Sequence, residues 1–101
     1  MTDETPASLS RLVRACCSGD EAAWRNLLTR ISPLVLAICR EHRLSQEESL
    51  DIFGQVCYYM VRNIGKIQNT DRLLAYVGTI ARRRIFDRFH RERSLEFVDP
   101  E

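Results

Sequence analysis

Apolar residues recur every three or four positions through four successive runs, and that period restricts the chain to helices before anything else is considered. The first run is Leu9, Leu12, Val13 and Cys16, stopping at Ser18-Gly19. The second is Trp24, Leu27, Leu28, Ile31, Leu34, Val35 and Ile38, with Asp20 as its N-cap and an end near His42. Pro33 falls inside this run, so the sequence predicts a kink or short break there. The third is Ile52, Phe53, Val56, Cys57, Met60 and Val61, opened by a Ser45–Glu48 capping box and closed near Ile64-Gly65. The fourth is Leu73, Leu74, Val77, Ile80, Ala81 and Ile85, on a helix expected from about Thr70 or Asp71 to Arg91. With only 4 Gly and 3 Pro in 101 residues, turns are too sparse for an all-β fold. The expected architecture is all-α, a compact bundle of about four helices over residues 9–93. Residues 1–8 are read as a flexible N-terminus, and 94–101 as the start of a linker or a disordered tail.

A chain of this length holds one domain, and 45% hydrophobic with 29% charged residues suits a globular fold with one core. No apolar run reaches the ~20 residues of a membrane span, and the acidic start MTDETPASLS lacks the pattern of a signal peptide. The expectation is therefore a cytoplasmic protein with no membrane partner, read as a monomer. Cys16, Cys17, Cys39 and Cys57 form neither a CxxC pair nor a zinc-knuckle spacing. Cys39 and His42 have the spacing of half a zinc site, but no second pair accompanies them. No metal or cofactor is expected.

The formal charge of +1 conceals an asymmetry. Residues 1–60 carry 6 basic and 8 acidic side chains, a balance of −2, and residues 61–101 carry 9 and 6, a balance of +3. From Arg82 to Arg93 six arginines face only Asp87 and Glu92. On a helical wheel Tyr76, Thr79, Arg82, Arg83, Phe86 and His90 lie opposite the apolar stripe. Arginine forks neutralise phosphates and release counterions, and aromatic rings stack on unpaired bases. The preceding polar segment, Lys66 to Asp71, adds Gln68, Asn69 and Thr70 for base edges. Against this stands a solvated face whose arginines pair with Asp87, Glu92 or acids of the first half. Arg84 and Arg88 fall on the apolar side, so either the helix end projects beyond the bundle or their stems snorkel.

GDEAAW at 19–24, the SPLVLAICR run, SQEESLDIFGQVCYYMVRN, a short loop and LLAYVGTIARRRIFDRFHR together resemble region two of the sigma-70 family of transcription initiation factors. The similarity is greatest to the extracytoplasmic-function group and covers about residues 9–93. It implies a bacterial protein that binds core RNA polymerase and recognises and melts the promoter minus-ten element. By position, contacts with the clamp helices of the largest polymerase subunit would come from Asp51, Phe53, Gln55, Tyr58, Tyr59 and Arg62. Capture of a flipped non-template base would involve Lys66, Ile67, Gln68, Asn69, Thr70 and Asp71. The strand backbone and upstream duplex would meet Tyr76, Thr79, Arg82, Arg83, Asp87 and Arg91. The chain departs from the family's third-helix pattern DLVQEVF with DIFGQVC, which puts Gly54 and Gln55 where Gln and Glu are common. The family's second, minus-35-binding domain would not fit within this length.

Two other readings belong to different classes. In one, the chain is a sigma-like interaction bundle whose main partner is an anti-sigma factor or another regulator. In the other it is an enzyme, for which no paired carboxylates, phosphate-cradling glycine loop or triad spacing is present in the sequence.

Overall fold

The computed structural model describes residues 6–67 and 69–97, and every regular element in them is helical: α1 (Pro6–Cys17), α2 (Glu21–Glu41), α3 (Gln46–Asn63) and α4 (Leu73–Phe97), with short 3-10 turns at Ile64–Lys66 and Thr70–Arg72. The all-α bundle expected from the apolar period is the fold observed. α2 is central, packing against α1, α3 and α4, while α3 and α4 also pack on each other. Leu27, Ile31 and Val35 of α2, Ile52, Val56 and Met60 of α3, and Leu73, Val77 and Ile85 of α4 form the core, each at most 1% exposed. Each such side chain contributes roughly 1.5–3 kcal/mol when withdrawn from water.

The caps fall where the sequence puts them. The Asp20 carboxylate accepts from the Ala22 and Ala23 amides at 3.0 and 3.2 Å. The Ser45 hydroxyl accepts from the Glu48 amide at 3.1 Å, while the Glu48 carboxylate accepts from the Ser45 amide at 2.8 Å. These bonds hold the Glu48 carboxyl below its usual pKa. α1 ends with Gly19 at φ 90, as the Gly19 amide donates to the Cys16 carbonyl and the Asp20 amide to that of Ala15. The Trp24 indole then donates to the Cys16 carbonyl at 3.1 Å and ties α2 to that turn.

Three boundaries differ from expectation. α2 runs through Pro33 without a break. Proline removes one donor, and the carbonyl it orphans is that of Thr29, which instead accepts from the Ser32 hydroxyl at 3.4 Å. Ile31 and Val35, fully buried on either side, hold the two halves in one stripe. α1 begins at Pro6 rather than Leu9, consistent with proline's fitness for the first helical turn. α4 continues to Phe97, six residues past Arg91, because nothing from Arg91 to Phe97 breaks a helix and Pro100 is the first residue that would.

Gly54 is exposed in the middle of α3, and a Cβ placed there would meet no atom within 4 Å. Gly54→Ala should therefore raise stability by about 0.5–1 kcal/mol, read as a higher urea midpoint at unchanged slope. An unchanged midpoint would mean that the backbone at this position is not an ordinary helix interior.

Candidate polymerase and nucleic-acid faces

The arginines of α4 divide into two groups. Arg84 and Arg88 lie in the apolar stripe, where the wheel makes them anomalous, and both turn onto α3. The Arg84 guanidinium stacks on the Tyr59 ring at 4.2 Å from its centroid and donates to the Tyr59 hydroxyl. Arg88 donates to the Asp51 carboxylate at 3.2 Å and lies 3.8 Å from that of Glu48. Arg82 and Arg83 point the other way. Both are exposed, and neither forms an ion pair among the described residues. The solvated-face alternative, in which this run is neutralised by nearby acids, thus fits Arg84 and Arg88 and not Arg82 and Arg83.

Tyr76, at 37% exposure, and Thr79 continue the outward ridge. The Thr79 hydroxyl donates to the Ala75 carbonyl at 3.0 Å, which leaves both lone pairs of its oxygen able to accept. On the α3 side of the ridge, Tyr59, Tyr76, Thr79, Ile80, Arg83 and Arg84 line a pocket of about 250 Å³. Tyr59 therefore borders the arginine ridge as well as the α3 surface. Asp87 is half-buried, 4.0 Å from Arg84. Arg91 lies apart from Arg82 and Arg83, in a cleft of about 430 Å³ with Asp51, Gln55 and Tyr58.

The segment before α4 is anchored at both ends. Ile67 packs on the core, and the Asn69 side chain accepts from the Asp71 amide at 3.0 Å to start the 3-10 turn. Lys66, Asn69 and Asp71 are exposed and Thr70 is half-buried; Gln68 lies outside the described residues.

On α3, Asp51, Gln55, Tyr58 and Arg62 recur at intervals of four, three and four and share its outer face. Arg62 donates to the Tyr58 hydroxyl at 3.0 Å with its guanidinium 5.4 Å from that ring, which stiffens both long side chains. Phe53 and Tyr59 flank the core instead, half-buried against it. Leu50 and Val61 are not among the contacts expected of α3 from the sequence; they are 59% and 60% exposed on the same outer side as Tyr58 and Gly54. Together with Tyr58 they leave three large apolar groups exposed on the outer side of one helix. The apolar run did contain Val61, and its wheel angle, on the far side from Ile52 and Val56, is the signal that separates it from the core.

The thiols carry no chemistry of this kind. Cys39 is buried, its pKa raised by that burial, and the His42 Nδ1 is engaged with the Ile38 carbonyl at 3.0 Å. Burial likewise pushes Cys16 up to about 11, so it stays protonated at neutral pH. Among the described residues no group of His, Cys, Asp and Glu is placed to hold a metal ion, and no helix is long and apolar enough to cross a membrane.

Among the described residues, fold and surface amount to a helical bundle with exposed apolar and polar groups on α3 and an exposed pair of arginines on α4. The family whose model matches is sigma-70 region 2, over residues 27–95, and the chain belongs to that family. Its role is that of a sigma-factor domain, binding RNA polymerase and recognising promoter DNA. No curated protein and no solved structure matches the chain.

Proposed function

We propose that this chain is the promoter-opening domain of a sigma factor of the extracytoplasmic-function group. α3 docks on the clamp helices of the largest polymerase subunit through Asp51, Gln55, Tyr58 and Arg62, with Phe53 and Tyr59 at the margins. The Lys66–Asp71 segment takes a base flipped from the non-template strand. Tyr76, Thr79, Arg82 and Arg83 hold the backbone of that strand and the upstream duplex, to which Asp87 and Arg91 contribute from farther along α4, on its α3 side. The observation that carries this reading is the split of the α4 arginines: Arg84 and Arg88 are engaged with α3, while Arg82 and Arg83 stand clear of acids. Base flipping costs a few kcal/mol of unstacking, which phosphate neutralisation on a preformed ridge offsets.

The test is retention of a fork-junction DNA probe by core RNA polymerase in a gel-shift assay. Adding the chain should produce a retained complex that weakens steeply with salt, and thymines of the single-stranded part should lose permanganate reactivity on capture. Polymerase that retains no more DNA with the chain than without it contradicts the proposal. A second reading, capture by an anti-sigma factor, is favoured by exposed Leu50, Tyr58 and Val61, a surface that would serve a regulator as well as polymerase. Competition between the two for α3 follows if both bind there.

A further inference from the structure

A groove on the α2 side of the arginine ridge shares Thr79, Arg82 and Arg83 with the contacts proposed above and adds His42, Phe86 and Phe89 to them. It lies where the end of α2 meets α4, encloses about 550 Å³, and is lined by His42, Arg82, Arg83, Ile85, Phe86 and Phe89. Its wall is largely apolar, its rim carries two guanidiniums and an imidazole, and no carboxylate lines it. Phe86 is 64% exposed and Phe89 45%, on the part of α4 that follows the buried Ile85. The Phe86 ring is stacked on that of His90, with centroids 5.5 Å apart and planes at 13°, which braces Phe86 at the groove's edge.

The backbone beside the groove supplies a second observation. α2 closes with the Arg43 amide donating to the Arg40 carbonyl and the Leu44 amide to that of Cys39. This closure places Arg43 at φ 59, in the left-handed region that glycine occupies at least cost. An exposed arginine is kept there instead, one residue from His42. Unfavourable backbone geometry of this kind gathers at functional sites.

We propose that this groove is a second seat for single-stranded DNA, in which one base packs on the Phe86 ring, braced from behind by His90, against Phe89, and the flanking phosphates meet Arg82, Arg83 and His42. The inference rests on the DNA-binding reading above and extends it to His42, Phe86, Phe89 and His90. Charge selects a polyanion, since two guanidiniums and no carboxylate line the groove, and the aromatic rings select a π-face over an aliphatic side chain. Thr79 and Arg83 line both this groove and the Tyr59–Tyr76 pocket, so the ridge separates two aromatic sites. A strand crossing the ridge meets a ring on either side.

The test titrates a fork-junction DNA carrying 2-aminopurine in its single-stranded part against core polymerase bound to the chain. Phe86→Ala with Phe89→Ala should weaken binding roughly tenfold or more, the loss of about one stacked base, and abolish the fluorescence quench. The salt dependence should stay that of the wild type, because no phosphate contact is removed. Phe86→Trp with Phe89→Trp should restore affinity, and an abasic strand should erase the difference between wild type and the alanine pair. Phe86→Ala alone, at the more exposed ring, repeats the measurement should the pair lose its helical circular dichroism. If the alanine variants bind DNA as tightly as wild type while Arg82→Glu with Arg83→Glu does not, the groove is wrong and the DNA reading stands. If the arginine variant also binds normally, both fall. If the alanine variants lose polymerase and keep DNA, the groove is a protein contact and the proposal is overturned.

Discussion

Reversing the charge of Arg82 and Arg83 together, Arg82→Glu with Arg83→Glu, should abolish promoter capture while leaving polymerase binding intact. Each arginine is exposed, and neither contributes an ion pair to the described fold, so their replacement has little to disturb in the core. A charge-assisted contact contributes roughly 1.5 kcal/mol or more, and two lost contacts amount to a drop of about a hundredfold before repulsion is added. The dependence of binding on salt should flatten, since fewer counterions are released when the strand docks. Polymerase affinity should hold because the α3 face is built by other residues. Arg84 and Arg88, which tie α3 to α4, remain in place. Gel-shift titration over a salt series, paired with a polymerase pull-down, reads both quantities. A variant that keeps DNA and loses polymerase would assign the ridge to a protein partner.

The separation of the two faces explains what could be read in advance and what could not. Helix period and cap chemistry are local, so the four elements and the caps at Asp20 and Ser45 follow from residues within a few positions of one another. The exposure of Arg82 and Arg83 was legible for the same reason, because a wheel orders residues around one axis. The destination of Arg84 and Arg88 was not. A wheel places them on the buried side but does not say which neighbour lies there, and their partners Tyr59, Asp51 and Glu48 depend on how α3 crosses α4. The groove beside Phe86 needs His42, which lies on a different element, in the turn after α2. At Pro33 the helix is not broken, flanking burial at Ile31 and Val35 having outweighed one missing donor. The fold was thus more readable than the site, since the site arises where elements distant in sequence meet.

Leu27→Ala should produce the largest loss of stability, and with it a different functional signature. Leu27 is wholly buried in α2, the helix that packs against all three others. Truncation removes three carbon atoms and leaves a cavity that the surrounding Ile and Val side chains cannot fill without moving, at a cost of roughly 2–5 kcal/mol. A domain of this size holds about 5–15 kcal/mol in total, so the loss consumes a large part of it. Urea unfolding followed by circular dichroism should show a lower midpoint with an unchanged slope. Neither α3 nor α4 is altered by the substitution, so the folded fraction should bind polymerase and DNA as before. Both activities should then fall in the same proportion on warming, in contrast to the split made by the arginine reversal. Retained stability would mean that Leu27 is not at the centre of the core. Loss of one activity alone would mean that α2 bears on one face directly, rather than supporting both through the packing of α3 and α4.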